Sequence, residues 1–370
     1  MRANARRGAR WLAGGWAVAV ALAAALMAGP AQAAPAPFTY SSVAWTGTTA
    51  IVAGTDSAGD LYYWYEPDGG STFTEQLVAN GQHITGAPAI GWTGSTVIIA
   101  VSQGSQLDYW YQFAGTRSWH KQQVAAAKGT SYGPPAIGWT GKSVIIAAAD
   151  STHTLDYWYE SADTGSWHEQ LVLAGVYGVD YNTAFGPSIG WTGSTVIISS
   201  TDNFGGVDYL YQYAGTRHWH FQLVAAGIYP PFGGTAIGWT GRSVVITASD
   251  QYGHLGYWYQ PAGTGTWHGQ LVAKDVYENV PAIAWTGSSV VITAVSVRGN
   301  LEYWWQAAGT RPWNKEQVAH ALGAGQEVNP SIAAAGDAVI ITAVDGSGNL
   351  DYWSQQYGTG SWNKQQVAAG

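Results

Sequence analysis

The chain contains no cysteine at all, which removes disulfides, thiolate metal sites, a cysteine nucleophile and a lipoprotein anchor in one step. Charge is scarce too. Only 10% of the 370 residues are Asp, Glu, Lys or Arg, too few for a coiled coil. The net charge of -8 supplies no basic field for phosphate neutralisation, so nucleic acid is excluded as a partner and neutral ligands fit better. Sustained 3.6-residue periodicity is also missing, and no run after the first 33 residues has the length and apolarity of a membrane helix. What the chain has instead is 49 Gly, 21 Trp and 22 Tyr, far too aromatic for disorder and the composition of a packed, glycine-turned β protein.

The first segment reads as an address. Arg2, Arg6, Arg7 and Arg10 form a positive region, Trp11 to Met27 an apolar stretch, and Ala31-Gln32-Ala33 a small-residue cleavage site. We therefore expect residues 1–33 to be a signal peptide and 34–370 the mature, secreted, extracellular chain. All four arginines leave with the signal, so the mature chain is more acidic still, and without cysteine its core alone must stabilise it.

The mature chain is a repeat protein. Trp-Thr-Gly recurs at Trp45, Trp92, Trp139, Trp191, Trp239 and Trp285, 46 to 52 residues apart, and Ala334-Ala335-Gly336 continues the frame without the tryptophan. The repeats start near residues 42, 89, 136, 188, 236, 282 and 331. Each reads as four short strands: a small-residue run such as Pro135 to Trp139, a β-branched run such as Val144-Ile145-Ile146, a Leu-Asp-Tyr-Trp-Tyr strand such as Leu107 to Tyr111, and a fourth such as Trp119 to Val124. Consecutive apolar residues in the second strand require cover on both faces. An open array would leave such runs bare at its ends, whereas a ring does not. The fold class is all-β, a seven-bladed β-propeller with four antiparallel strands per blade. Because the chain starts in first-strand phase and ends with a fourth strand, the ring should close by side-chain packing and not by a swapped strand.

Of the 19 tryptophans outside the signal, 18 fall in three columns. Besides the first-strand column there are Trp64, Trp110, Trp158, Trp258, Trp304 and Trp353 on the third strand, with Leu210 in the fourth unit. The fourth-strand column is Trp119, Trp167, Trp219, Trp267, Trp313 and Trp362, with Phe73 in the first. A ring that Leu or Phe replaces behaves as packing volume. Alternation places Leu107, Tyr109 and Tyr111 on one face of a third strand and Asp108, Trp110 and Gln112 on the other. An acid, an indole and an amide on one face suit a sugar, whose ring stacks while its hydroxyls bond. The equivalent acids are Asp156, Asp208, Glu302 and Asp351, with Tyr62 and Gly256 breaking the series. Alternatively these acids bond local backbone or a tyrosine hydroxyl.

His120, His168, His220 and His268 form a further column, continued by Asn314 and Asn363; one blade apart, they do not converge on a metal, and no cofactor is expected. Asp56, Asp150, Asp202, Asp250 and Asp345 precede the third strand as turn formers. The loops between units carry Tyr177, Tyr181, Phe185, Tyr229, Phe232 and Tyr277, which either recognise a partner or cap the blade junctions.

The succession of a Val-Ile run, Leu-x-Tyr-Trp and Gly-Thr-x-x-Trp, at Val97 to Trp119 and Val290 to Trp313, resembles the repeats of PLL-type bacterial fucose-binding propeller lectins. The resemblance covers all seven units and implies seven blades with carbohydrate sites between neighbours. The leading functional reading is thus a multivalent lectin-like protein whose partners are glycans or glycoconjugates. Its candidate residues are the acids above with Trp110 and the first- and fourth-strand tryptophans Trp92, Trp119, Trp139, Trp167, Trp191, Trp219, Trp239, Trp267, Trp285 and Trp313. Two alternatives stay open. One is a scaffold for a cell-surface protein partner; the other is a propeller glycosidase or lyase, although Glu66, Asp163, Asp180, Asp275, Glu278 and Glu327 form no recognised catalytic motif.

Overall fold

A computed structural model describes residues 36–66, 72–126, 129–161, 164–173, 186–202, 205–226, 234–277, 279–323 and 328–370. The expected signal peptide and the loop aromatics Tyr177, Tyr181, Phe185, Tyr229 and Phe232 lie outside the described residues, as do Asp163, Asp180, Glu278 and Glu327. The fold is all-β, with seven four-stranded antiparallel sheets in which strand order follows sequence order. We number these blades 1 to 7, spanning 38–79, 89–126, 136–173, 188–225, 236–273, 282–319 and 331–368. Blade 2 shows the pattern: Ala89–Trp92, Thr96–Gln103, Gln106–Phe113 and His120–Ala126.

The β-branched second strands explain why the blades stand side by side. Alternate residues point to opposite faces. In blade 2, Val97, Ile99 and Val101 pack into a core shared with blade 1, whereas Ile98 and Ala100 pack into one shared with blade 3. The same division gives each junction its own core, and the last joins blade 7 to blade 1 through Ile340, Leu350 and Tyr352 against Val52, Tyr62 and Trp64. Ile98, Ile99, Ile145 and Ile146 are fully buried. Removing a side chain of this kind costs about 2–5 kcal/mol.

Among the described residues no strand is exchanged at closure. Instead the start of the first strand of blade 1 repeats what the loops between blades do elsewhere. The backbone N–H groups of Ile84, Tyr132, Tyr277 and Leu322 donate to the carbonyls of Gly59, Gly104, Gly253 and Gly299, each in the turn between second and third strands of the preceding blade. Phe38 donates likewise to Gly348 of blade 7 at 2.9 Å. Its ring meets Trp64 of blade 1 edge-on at 5.2 Å, as Tyr132 meets Trp158 and Tyr277 meets Trp304. Blade 1 therefore has a longer first strand, Phe38–Trp45, than the four residues seen in blades 2 to 6.

The turns behave as their residues require. Each Trp-Thr-Gly step ends a first strand, and its glycine holds a left-handed φ, +98° at Gly94 and +86° at Gly141, which a side chain would strain. The carboxylate of Asp150 accepts the N–H groups of Thr152 and Thr154, the turn-forming role expected for that column. Each fourth strand carries a bulge opposite the start of the third, as between Leu107 and Asp108 in blade 2, which turns Val124 inward.

Candidate functional site

On the side of the ring opposite the Phe38-type clasps, the turns joining first to second and third to fourth strands frame clefts between blades. Three are well formed among the described residues. The cleft between blades 5 and 6 has a volume of about 670 Å³, that between blades 2 and 3 about 480 Å³, and that between blades 6 and 7 about 420 Å³. Their plan is shared. The leading blade provides two third-strand tyrosines and a fourth-strand glutamine, which are Tyr109, Tyr111 and Gln122 at the 2/3 junction. The following blade provides the first-strand tryptophan and a third-strand polar residue, Trp139 and Glu160 there, and Trp285 and Gln306 at the 5/6 junction. At the 6/7 junction Trp305 stands in for the second tyrosine and Glu316 for the glutamine, and no tryptophan comes from the first strand, where the sequence has Ala334.

Sheet geometry makes this arrangement automatic. The two tyrosines are two residues apart on a strand, so their rings lie on one face and stack, with centroids 5.5 Å apart for Tyr109 and Tyr111. The histidine column extends the stack outward: His120 lies on Tyr111 at 5.0 Å and His220 on Tyr211 at 4.8 Å. These histidines are exposed, and among the described residues no group of three or more His, Asp or Glu side chains could hold a metal ion.

The cleft floor is a hydrogen-bond relay between blades. Gln76 Oε1 accepts from Gln112 Nε2 at 2.8 Å and from Trp119 Nε1 at 3.1 Å, both in the following blade. Gln222 receives Gln260 and Trp267 in the same way, and Gln270 receives Gln306 and Trp313. At the 6/7 junction Glu316 accepts from Gln355 and Trp362. The fourth-strand tryptophans also rest edge-on against the first tyrosine of the preceding blade, as Trp167 on Tyr109 and Trp219 on Tyr157 at 5.2 Å. They are half-buried, line none of the three clefts, and their N–H groups, except that of Trp219, are already paired.

The third-strand acids lie elsewhere. Asp108, Asp156, Asp208, Glu302 and Asp351 sit at the far end of the strand and line none of the three clefts. All five are buried. In three blades a lysine that sequence reasoning did not single out neutralises the acid: Lys121 lies 2.9 Å from Asp108, Lys315 2.8 Å from Glu302 and Lys364 2.7 Å from Asp351. Each ammonium also lies over a third-strand tryptophan, 5.3 Å from the Trp110 ring centroid in blade 2. Glu302 additionally accepts the Tyr277 hydroxyl. The signal was present, because acid and lysine are always 13 residues apart, and where the lysine is replaced the environment changes too. In blade 5 both positions are glycine, and the Trp258 ring fills the space, leaving 2.4 Å to a Cβ placed on Gly256.

In blades 3 and 4 the acid remains but Glu169 and Phe221 stand where the lysine would be. Burial, then the charges of Glu169 and Asp150, push Asp156 up to about 7; burial, then Asp202, does the same to Asp208. Trp64, Trp158, Trp304 and Trp353 are buried to 1% exposure and act as core. Trp110 is only partly buried, against the core between blades 1 and 2.

No family model matches the sequence, and no curated protein matches it. Solved structures do. The BP39L lectin from Burkholderia pseudomallei aligns with a TM-score of 0.74 at 15% identity, covering 90% of this chain and 100% of that one. An Aleuria aurantia lectin in complex with Fucα1-6GlcNAc aligns at 0.56 and 13% identity, over 91% and 98%. The SapL1 lectin, in complex with alpha methyl fucoside, aligns at 0.53 and 10%, over 90% and 96%. Identities this low establish a shared propeller fold, the fold that the repeat resemblance implied.

Proposed function

We propose that this is a secreted, multivalent carbohydrate-binding propeller whose sugar sites are the clefts between blades. The observation that carries the reading is the stacked aromatic pair in each of the three clefts, joined at the 2/3 and 5/6 junctions by a half-buried first-strand tryptophan. Apolar sugar faces lie on such rings, and amides and turn hydroxyls bond the rim. The acids and tryptophans of the third strand are structural in this account, and the binding residues are Tyr109, Tyr111 and Trp139, or Tyr257, Tyr259 and Trp285. Several weak sites on one rigid ring raise avidity for a clustered glycan without any new contact.

The lectin neighbours support the reading, and the fucosides named with two of them make methyl fucoside a sensible first probe. The test is a glycan array on the chain from residue 34 onward. Signal competed by free monosaccharide, and reduced by Trp285→Ala in a protein that still melts cooperatively, is the expected result. Absence of glycan signal with intact folding would refute it.

A further inference from the structure

The clefts are built to one plan but do not carry one charge. The 2/3 cleft is lined by Glu160 and the 6/7 cleft by Glu316, and among the described residues neither has a Lys or Arg on its wall. The 5/6 cleft has no acid on its wall and two arginines, Arg242 from the first turn of blade 5 and Arg311 from the last turn of blade 6. Both side chains are exposed, and among the described residues neither has an ion-pair partner. On a chain of net charge -8, two unpaired guanidiniums on opposite walls of one cleft stand out.

Their backbone is held firmly. Gln306 Nε2 donates to the Arg311 carbonyl at 2.9 Å, and Ala262 N–H donates to the Arg242 carbonyl at 2.8 Å. The hydroxyl of Thr240 is occupied within its own turn, donating to the Ser243 carbonyl at 3.2 Å. The two arginines are therefore held at the backbone and free at the tip, in a cleft that Trp285 and Tyr259 also line.

We propose that the cleft between blades 5 and 6 takes an acidic saccharide of the uronate class, its ring against Trp285 and Tyr259 and its carboxylate bonded by Arg242 and Arg311. This rests on the carbohydrate reading and narrows it to one charge class at one junction. Guanidinium matches carboxylate geometry, and charge-assisted bonds are about twice as strong as neutral ones. Lys142 and Arg217 occupy the same two repeat positions at the 3/4 junction, so a second acidic site there follows from the same pattern.

The test is calorimetric titration of the full mature chain with matched pairs: methyl glucuronide against methyl glucoside, and methyl galacturonide against methyl galactoside. At least one acidic member should bind roughly tenfold tighter than its neutral partner, an advantage that falls as salt is raised. Arg242→Gln and Arg311→Gln, both at exposed turns and checked for an unchanged Tm, should each erase most of it while leaving neutral binding in place. Equal affinities within both pairs, or an acidic preference that survives both substitutions, would overturn the proposal and leave the carbohydrate reading standing. Failure of all four sugars would overturn the proposal alone, whereas the carbohydrate reading falls only if the glycan array is silent as well.

Discussion

Trp267 Nε1 of blade 5 donates to Gln222 Oε1 of blade 4 at 3.1 Å, and the same oxygen accepts Gln260 Nε2 at 2.7 Å. One amide oxygen thus satisfies two donors from the neighbouring blade, and the relation recurs with Gln76 and Gln270. Gln222→Leu strands both donors at a half-buried junction. We expect a loss of about 1–3 kcal/mol in denaturant unfolding, the cost of unsatisfied polar groups. A change below about 0.3 kcal/mol would mean that water replaces the relay.

Phe38 lies in the core that joins blade 7 to blade 1, is 3% exposed and touches Trp64 and Tyr62. Phe38→Ala should cost about 3–5 kcal/mol, the usual loss for a buried aromatic. Phe113→Ala, at 46% exposure on a third strand, should stay within about 0.5 kcal/mol. Similar losses for the two would contradict the clasp.

Lys121→Met leaves Asp108 buried without its cation. Because the lysine is one-third exposed, the penalty is taken as about 2–3 kcal/mol, below that of a fully buried pair. Adding Asp108→Asn should recover most of it. Failure of the double variant to recover would show that the lysine acts through its contact with Trp110 and not through its charge.

Asp156 and Asp208 already lack such a cation, and both are raised from 3.8 to about 7. The folded state then binds more protons than the unfolded state between those values, so stability falls as pH rises from about 4 to 7 and is restored on acidification. Each group accounts for something on the order of 2 kcal/mol. The Tm should therefore increase from pH 8 to pH 5, and Asp208→Asn should raise the Tm at pH 8 and flatten the profile. A Tm that is unaltered by Asp208→Asn at pH 8 would contradict the assignment.

Most of the architecture was legible because the repeat is written in chemistry that has few other uses. Val-Ile-Ile runs demand cover on both faces, and Trp-Thr-Gly marks a strand end with a left-handed turn. Alternation along Leu107 to Gln112 also separated the faces as the structure has them. It could not say which end of the strand meets a cleft. Glu302 and Gln306 likewise share a face, yet four residues of extended chain separate a buried ion pair from a cleft wall. The stacked tyrosines were visible as a face but not as a site, since only the neighbouring blade's tryptophan turns them into a cleft. The clasp by Phe38 depends on contact between the two ends of the repeat array, which no local pattern encodes.

The most direct test of the account is a titration that counts sites. With the monosaccharide that the array favours, the chain from residue 34 onward should bind several equivalents per molecule, and Trp285→Ala should remove the 5/6 site while Trp139→Ala removes the 2/3 site. Binding of a single equivalent untouched by either substitution would contradict the claim that the clefts between blades are where sugars bind.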